Sequence, residues 1–231
     1  MKTIGLIGGT IWISTIEYYR IINETIKDKL GKTHSAHCIL YSIDFEETIQ
    51  QQLEDWNAIS QSFIEIAKKL EQAGCDFIVI CANTIHKIAD NIQKNIHIPI
   101  LHIVDATAEK IQEKKIKKVG LLGTKYTMGE TFYKQRLKDK YNINTIIPNH
   151  SEQKIIHDVI LNELTYEIIK PSSKQQYIEI IKNLVSKGAE GIILGCTEIP
   201  LLIKKDDLDI PMFDTTSIHA KAAADFALQR L

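Results

Sequence analysis

The chain has 231 residues, 44% hydrophobic and 25% charged, with a formal net charge of −1. That is the make-up of a soluble globular protein with one large or two small domains, and its near-neutrality gives no electrostatic reason to expect nucleic acid or an anionic membrane as a partner. No apolar run approaches the roughly 20 residues of a membrane-crossing helix.

The chain opens with an apolar strand over residues 3–8, running into Gly8-Gly9-Thr10. Residues 4–13 are apolar enough to imitate a secretion signal, but no small-residue cleavage site follows, so the segment reads as a core strand. A helix over 14–30, a strand over 37–43 and a helix over 53–73, stopped by Gly74, come next. Then follow a strand over 76–81, a helix over about 84–94, a short strand at 98–102 and a helix over 104–115. The remaining strands lie near 117–123, 143–147, 191–195 and 210–213, with helices near 127–140, 151–169, 173–187 and 216–230.

Halfway along, the pattern starts again. Gly5-Leu6-Ile7-Gly8 returns as Gly120-Leu121-Leu122-Gly123, and Ile98-Pro99-Ile100 returns as Ile210-Pro211-Met212. Gly74 and the apolar run after it return at Gly188, 114 positions later, which sets Ala82 opposite Cys196. Markers kept in order over half a chain describe a duplication. The expected fold is therefore α/β: two similar pseudo-symmetric lobes, each a parallel four-stranded sheet flanked by helices. The first lobe takes residues 1–103 plus 214–231 and the second takes 104–213. Ligands of such sheets sit beyond the carboxyl ends of the strands, so an active-site cleft between the lobes is expected.

The residues at those strand ends suggest the chemistry. Cys196 stands between a strand and a helix start, where unpaired N–H groups favour thiolate, and a thiolate can remove a proton from carbon or attack an electrophile. Thr197, with the mirrored Asn83 and Thr84, offers hydrogen bonds to a small carboxylate. Cys38 and Cys75 read as small buried hydrophobes. Cys81 precedes Ala82, and alternation along a strand aims it away from the cleft unless the strand end bulges. The four cysteines lack metal-ligand spacing and need not pair, which suits a reducing cytoplasm; His34, His37 and Cys38 have no second ligand cluster, so no metal is expected. Gly8-Gly9 lacks the third glycine of a dinucleotide loop.

Gly5-Leu6-Ile7-Gly8-Gly9, Ser14-Thr15-Ile16, Tyr18-Tyr19-Arg20, Asn83-Thr84-Ile85-His86-Lys87, Gly195-Cys196-Thr197-Glu198 and Phe213-Asp214-Thr215-Thr216 together resemble the aspartate/glutamate racemase family. The resemblance spans essentially the whole chain. It implies a homodimer that racemises acidic amino acids without pyridoxal phosphate, with two cysteines flanking the substrate Cα. Cys196 is the second of these. The first belongs at Ala82, leaving Cys81 and Thr84 as the candidates on that side. Substrate contacts are expected from Gly9, Thr10, Gln51, Asn83, Thr84 and Ile85 in the first lobe, and from Thr124, Thr127, Thr197 and Glu198 in the second. Two departures concern the substrate: the carboxylate-gripping arginine after the second strand is missing, and the corresponding lysine of a later helix is replaced in Glu163-Leu164-Thr165-Tyr166-Glu167. Two further readings stay open, a catalytically silent protein that binds an acidic amino acid or dicarboxylate, and a one-cysteine decarboxylase of the same superfamily.

Overall fold

A computed structural model describes residues 1–48 and 55–229. The first four strands are β1 (Ile4–Gly8), β2 (Cys38–Ser42), β3 (Phe77–Ile80) and β4 (Ile100–Leu101), hydrogen-bonded in the order β2-β1-β3-β4. The second four are β5 (Lys118–Gly123), β6 (Asn144–Ile146), β7 (Gly191–Gly195) and β8 (Met212–Asp214), in the order β6-β5-β7-β8. Every pairing is parallel. The two sheets thus share one topology, as the duplication requires. The chain divides into two compact units, residues 1–103 with 219–231, and residues 104–218.

The sequence explains why the central strands are where they are. β1, β3 and β7 are buried at every position, the condition of a parallel sheet covered by helices on both faces. In the first unit, Ile7, Ile78 and Ile80 pack on one face against Phe63 and Ile59 of the helix Trp56–Gln72. Leu6, Phe77 and Val79 pack on the other against Tyr18 and Ile22 of the helix Trp12–Leu30 and Ala220, Ala223 and Ala224 of the closing helix Thr215–Leu228. In the second unit, Leu122, Ile192 and Leu194 pack against Ile156, Ile160, Tyr177 and Ile181.

Three expected helices are interrupted. Residues 84–94 form a 3-10 turn, Thr84–Ile88, and a separate short helix, Ala89–Gln93, because Ile88 (φ −104°, ψ 4°) leaves the helical region. Residues 127–140 divide into Lys125–Gly129 and Thr131–Tyr141, since Glu130 is extended (φ −76°, ψ 167°). The helix expected to reach residue 169 stops at Asn162, continues as a 3-10 turn, Leu164–Tyr166, and ends with Glu167 left-handed (φ 57°). Among the described residues no helix is long and apolar enough to cross a membrane.

Candidate active site

In the first unit the ends of β1 and β3 carry the expected residues. Gly9 has φ +88°, and a Cβ there would lie 2.2 Å from the Ile43 carbonyl oxygen, so glycine alone lets the chain turn beside the end of β2. Its N–H donates to Thr15 Oγ1 (2.9 Å), and the Ile43 N–H donates to the Gly8 carbonyl (3.0 Å). The turn through Thr10 is therefore held on both sides before the helix Trp12–Leu30 begins. Gln51 lies outside the described residues.

Side chains at the end of β3 alternate as the pleat demands. Cys81 joins the core face of Phe77 and Val79, whereas Ala82 joins that of Ile78 and Ile80. The Cys81 S–H points back at the Val79 carbonyl (3.9 Å), and burial drives its pKa far above that of a free thiol. Asn83 is buried and Thr84 half-buried at the start of the 3-10 turn. Ile85 is fully buried among core side chains, which leaves only its backbone to meet a ligand.

In the second unit the ends of β5 and β7 are brought against each other by two glycines. Gly123 and Gly195 are register partners, and a Cβ on Gly195 would lie 2.7 Å from the Leu122 carbonyl oxygen. Thr127 is buried beside both glycines. Thr124 caps the helix Lys125–Gly129 by accepting from the Thr127 N–H (3.3 Å), and the two hydroxyls stand 3.3 Å apart. One step beyond β7, the Cys196 S–H donates to Glu198 Oε2 (2.9 Å) while the Thr197 hydroxyl donates to Glu198 Oε1 (2.7 Å). Cys196, Thr197 and Glu198 are thus one hydrogen-bonded set, with the thiol 9% exposed over Tyr177, Leu194 and Ile199.

The electrostatics of that set reverse one expectation. The backbone N–H groups of Thr197 and Glu198 do lower the Cys196 pKa, but burial comes first among its influences, followed by the charge of Glu198 and the hydrogen bond to it, and these raise it well above the ordinary thiol value. The resting group is a thiol, not a thiolate. The helix that follows, Ile199–Leu202, has only four residues, so its dipole offsets little.

Neither described arginine is open to a substrate anion. Arg20 reaches Glu17 and Glu24, both at 2.6 Å, on its own helix. Arg136 grips Asp105 through Nε (2.6 Å) and Nη2 (2.7 Å), a two-pronged pair that Lys140 joins at 2.7 Å. Glu163, which opens the run Glu163-Leu164-Thr165 where the gripping lysine is replaced, is paired with Lys170 (3.1 Å) and Ser173 (2.6 Å).

The sequence reading names His86, Asp214 and Thr215 only within motifs and gives none of them a role. His86 donates through Nδ1 to the Ala82 carbonyl (2.8 Å), a link signalled only by the four-residue spacing inside a helical turn. Asp214 caps the closing helix, accepting from the N–H groups of Thr216 (3.0 Å) and Ser217 (3.2 Å), and Thr215 Oγ1 donates to the Leu194 carbonyl (2.9 Å). Those bonds tie the end of β8 to the strand that carries Cys196. All four cysteines are free, and among the described residues no three His, Cys, Asp or Glu side chains are grouped to hold a metal ion.

The sequence profile of the Asp/Glu/hydantoin racemase family matches residues 7–223. The broad specificity amino-acid racemase RacX of Bacillus subtilis is 30% identical over 171 residues, 73% of this chain and 72% of that protein. A Yersinia pestis protein of provisional Asp/Glu racemase assignment is 49% identical, with a TM-score of 0.94 over 99% of this chain and 100% of that one. The aspartate racemase of Picrophilus torridus is 27% identical, with a TM-score of 0.76 over 100% of this chain and 96% of that one.

Proposed function

Because the chain belongs to the Asp/Glu/hydantoin racemase family, we propose that it interconverts or exchanges the Cα proton of acidic amino acids, without pyridoxal phosphate or metal, using Cys196 as its thiol acid/base. The observation that carries this reading is the Cys196 to Glu198 hydrogen bond of 2.9 Å at the end of β7. As a base, the thiol passes its proton to Glu198 Oε2 and the resulting thiolate takes the Cα proton. As an acid, the same thiol gives its proton to the Cα carbanion. Asn83, Thr84 and Thr197 hold the α-carboxylate in this reading. On the side of Ala82 there is no thiol, so the two enantiomers are handled unequally, with the Thr84 hydroxyl as the nearest candidate to order a water there.

Deuterium wash-in at Cα from heavy water, run on pure L- and D-aspartate and L- and D-glutamate, tests it. Exchange that disappears in Cys196→Ala supports the reading; no exchange with any of the four overturns it. A second reading, a broader range of amino acids, is favoured by the commitment of Arg20 and Arg136 to their own carboxylates and by the breadth named for RacX. Equal exchange on neutral amino acids would select it. The reading also includes a homodimer, checked by light scattering, and activity that survives dialysis against a chelator and a carbonyl reagent.

A further inference from the structure

The first unit contains a cluster of buried imidazoles that the proposed chemistry does not use. His86, His102 and His219 are all nearly inaccessible to solvent. The His86 ring meets that of His102 edge-on at 4.6 Å and that of His219 at 5.7 Å. His219 donates through Nε2 to the Leu101 carbonyl (2.8 Å), so its Nδ1 accepts from the Tyr18 hydroxyl (2.9 Å). His86 stands at the front of this cluster, against the end of β3.

The hydrogen bonds of His86 admit one protonation state. The Ile103 N–H donates to Nε2 (3.2 Å), so Nε2 carries no proton, and the proton of the neutral ring is on Nδ1, where it is donated to the Ala82 carbonyl (2.8 Å). One ring thereby joins the end of β3 to the start of the helix Ile103–Glu113. A peptide unit is planar, so holding the Ala82 carbonyl also sets the direction of the Asn83 N–H and the path into Thr84. The other half of the duplication does this differently. There the carbonyl of Cys196, the counterpart of Ala82, accepts from the Ile199 backbone N–H (3.2 Å), and the position matching His86 is Pro200. The imidazole is a device of the Ala82 half alone.

We propose that His86 is the positioning residue for proton transfer on the Ala82 side, holding the Ala82–Asn83 peptide so that Asn83 and Thr84 meet the substrate in a fixed orientation; this role rests on the racemase reading above. It touches no reacting atom and acts through Ala82. Its loss therefore weakens the hold of Asn83 and Thr84 on the α-carboxylate of both enantiomers, and slows in addition the enantiomer whose Cα proton leaves toward that side.

The test compares Cα deuterium wash-in on pure L- and D-aspartate for the native protein, His86→Leu and His86→Asn. Leucine keeps most of the volume with no hydrogen bond, and asparagine keeps an N–H donor near the place of Nδ1. The expected result in His86→Leu is a similar rise in KM for both enantiomers, a loss of roughly tenfold to a hundredfold in kcat confined to one of them, and partial recovery in His86→Asn. An unchanged ratio of the two rates in His86→Leu, whether both persist or both fall, overturns the role while leaving the racemase reading intact. Absence of exchange in the native protein overturns that reading and this role together. Nitrogen-15 resonances of the native imidazoles supply a measurement that needs no variant: the neutral His86 ring should be the Nδ1–H tautomer, and an Nε2–H tautomer overturns the proposal.

Discussion

At the scale of single residues, the candidate chemistry turns on how one carboxylate treats one thiol. Glu198 raises the Cys196 pKa through its charge and through the hydrogen bond it accepts. Glu198→Gln removes the charge, so the thiol should ionise at lower pH; the thiolate absorbance near 240 nm, taken as a difference against Cys196→Ala, checks this without reference to activity. If the charge is also the proton acceptor, the same variant slows Cα exchange by about 10²-fold. Cys196→Ala itself should cost about 10²–10⁴-fold in exchange of the enantiomer it serves, measured by mass or proton NMR. Cys196 was legible in the sequence because the duplicated run isolates it, and Ala82 because it occupies the twin position. The protonation state was not. Backbone N–H groups and a helix start argue for thiolate, and only burial together with the return of Glu198 onto its neighbour shows that the opposing influences win.

Single elements were read well where hydrophobic period and length agreed, and poorly where a break depends on one residue's backbone angles. The strands expected at 3–8 and 76–81 appear as β1 and β3, trimmed at their ends, and that at 191–195 appears as β7 with the same bounds. The helix expected over 127–140 divides where Glu130 turns extended. Gly129, a weak helix former, immediately precedes the break, and Thr124 caps the short first helix. Two element-level predictions follow from caps and turns. Asn149→Ala removes one half of a capping box with Glu152 at the head of the helix His150–Asn162 and should destabilise by about 1 kcal/mol in urea unfolding. Gly9→Ala must place a Cβ 2.2 Å from a carbonyl oxygen at φ +88°, which should cost more than about 1 kcal/mol and lower exchange as well, because the same turn presents Thr10.

For the molecule as a whole, the buried imidazole cluster makes acid stability predictable in sign. Burial, first among its influences, lowers the His219 pKa to about 4 from an ordinary value of 6.5. A base with a depressed folded pKa contributes fully above its unfolded pKa, and that stability is lost as pH falls from about 6.5 toward 4. Urea midpoints should therefore fall over that window by the equivalent of about 3 kcal/mol in total, and less in His219→Gln; the polar neighbours facing His219 are His86 and Tyr18, with His102 behind His86. The amino-acid sequence by itself determined the α/β class, the duplication and the cysteine that stands without a twin, because strand burial, helix period and repeated glycine-ended runs are local properties written in order along the chain. Tertiary structure alone decided that Glu198 returns to Cys196, that Arg136 is committed to Asp105 and that His86 holds the carbonyl of Ala82. Each of these depends on where a side chain points once distant segments, or the two faces of one strand, have been packed, and spacing along the chain does not encode that direction.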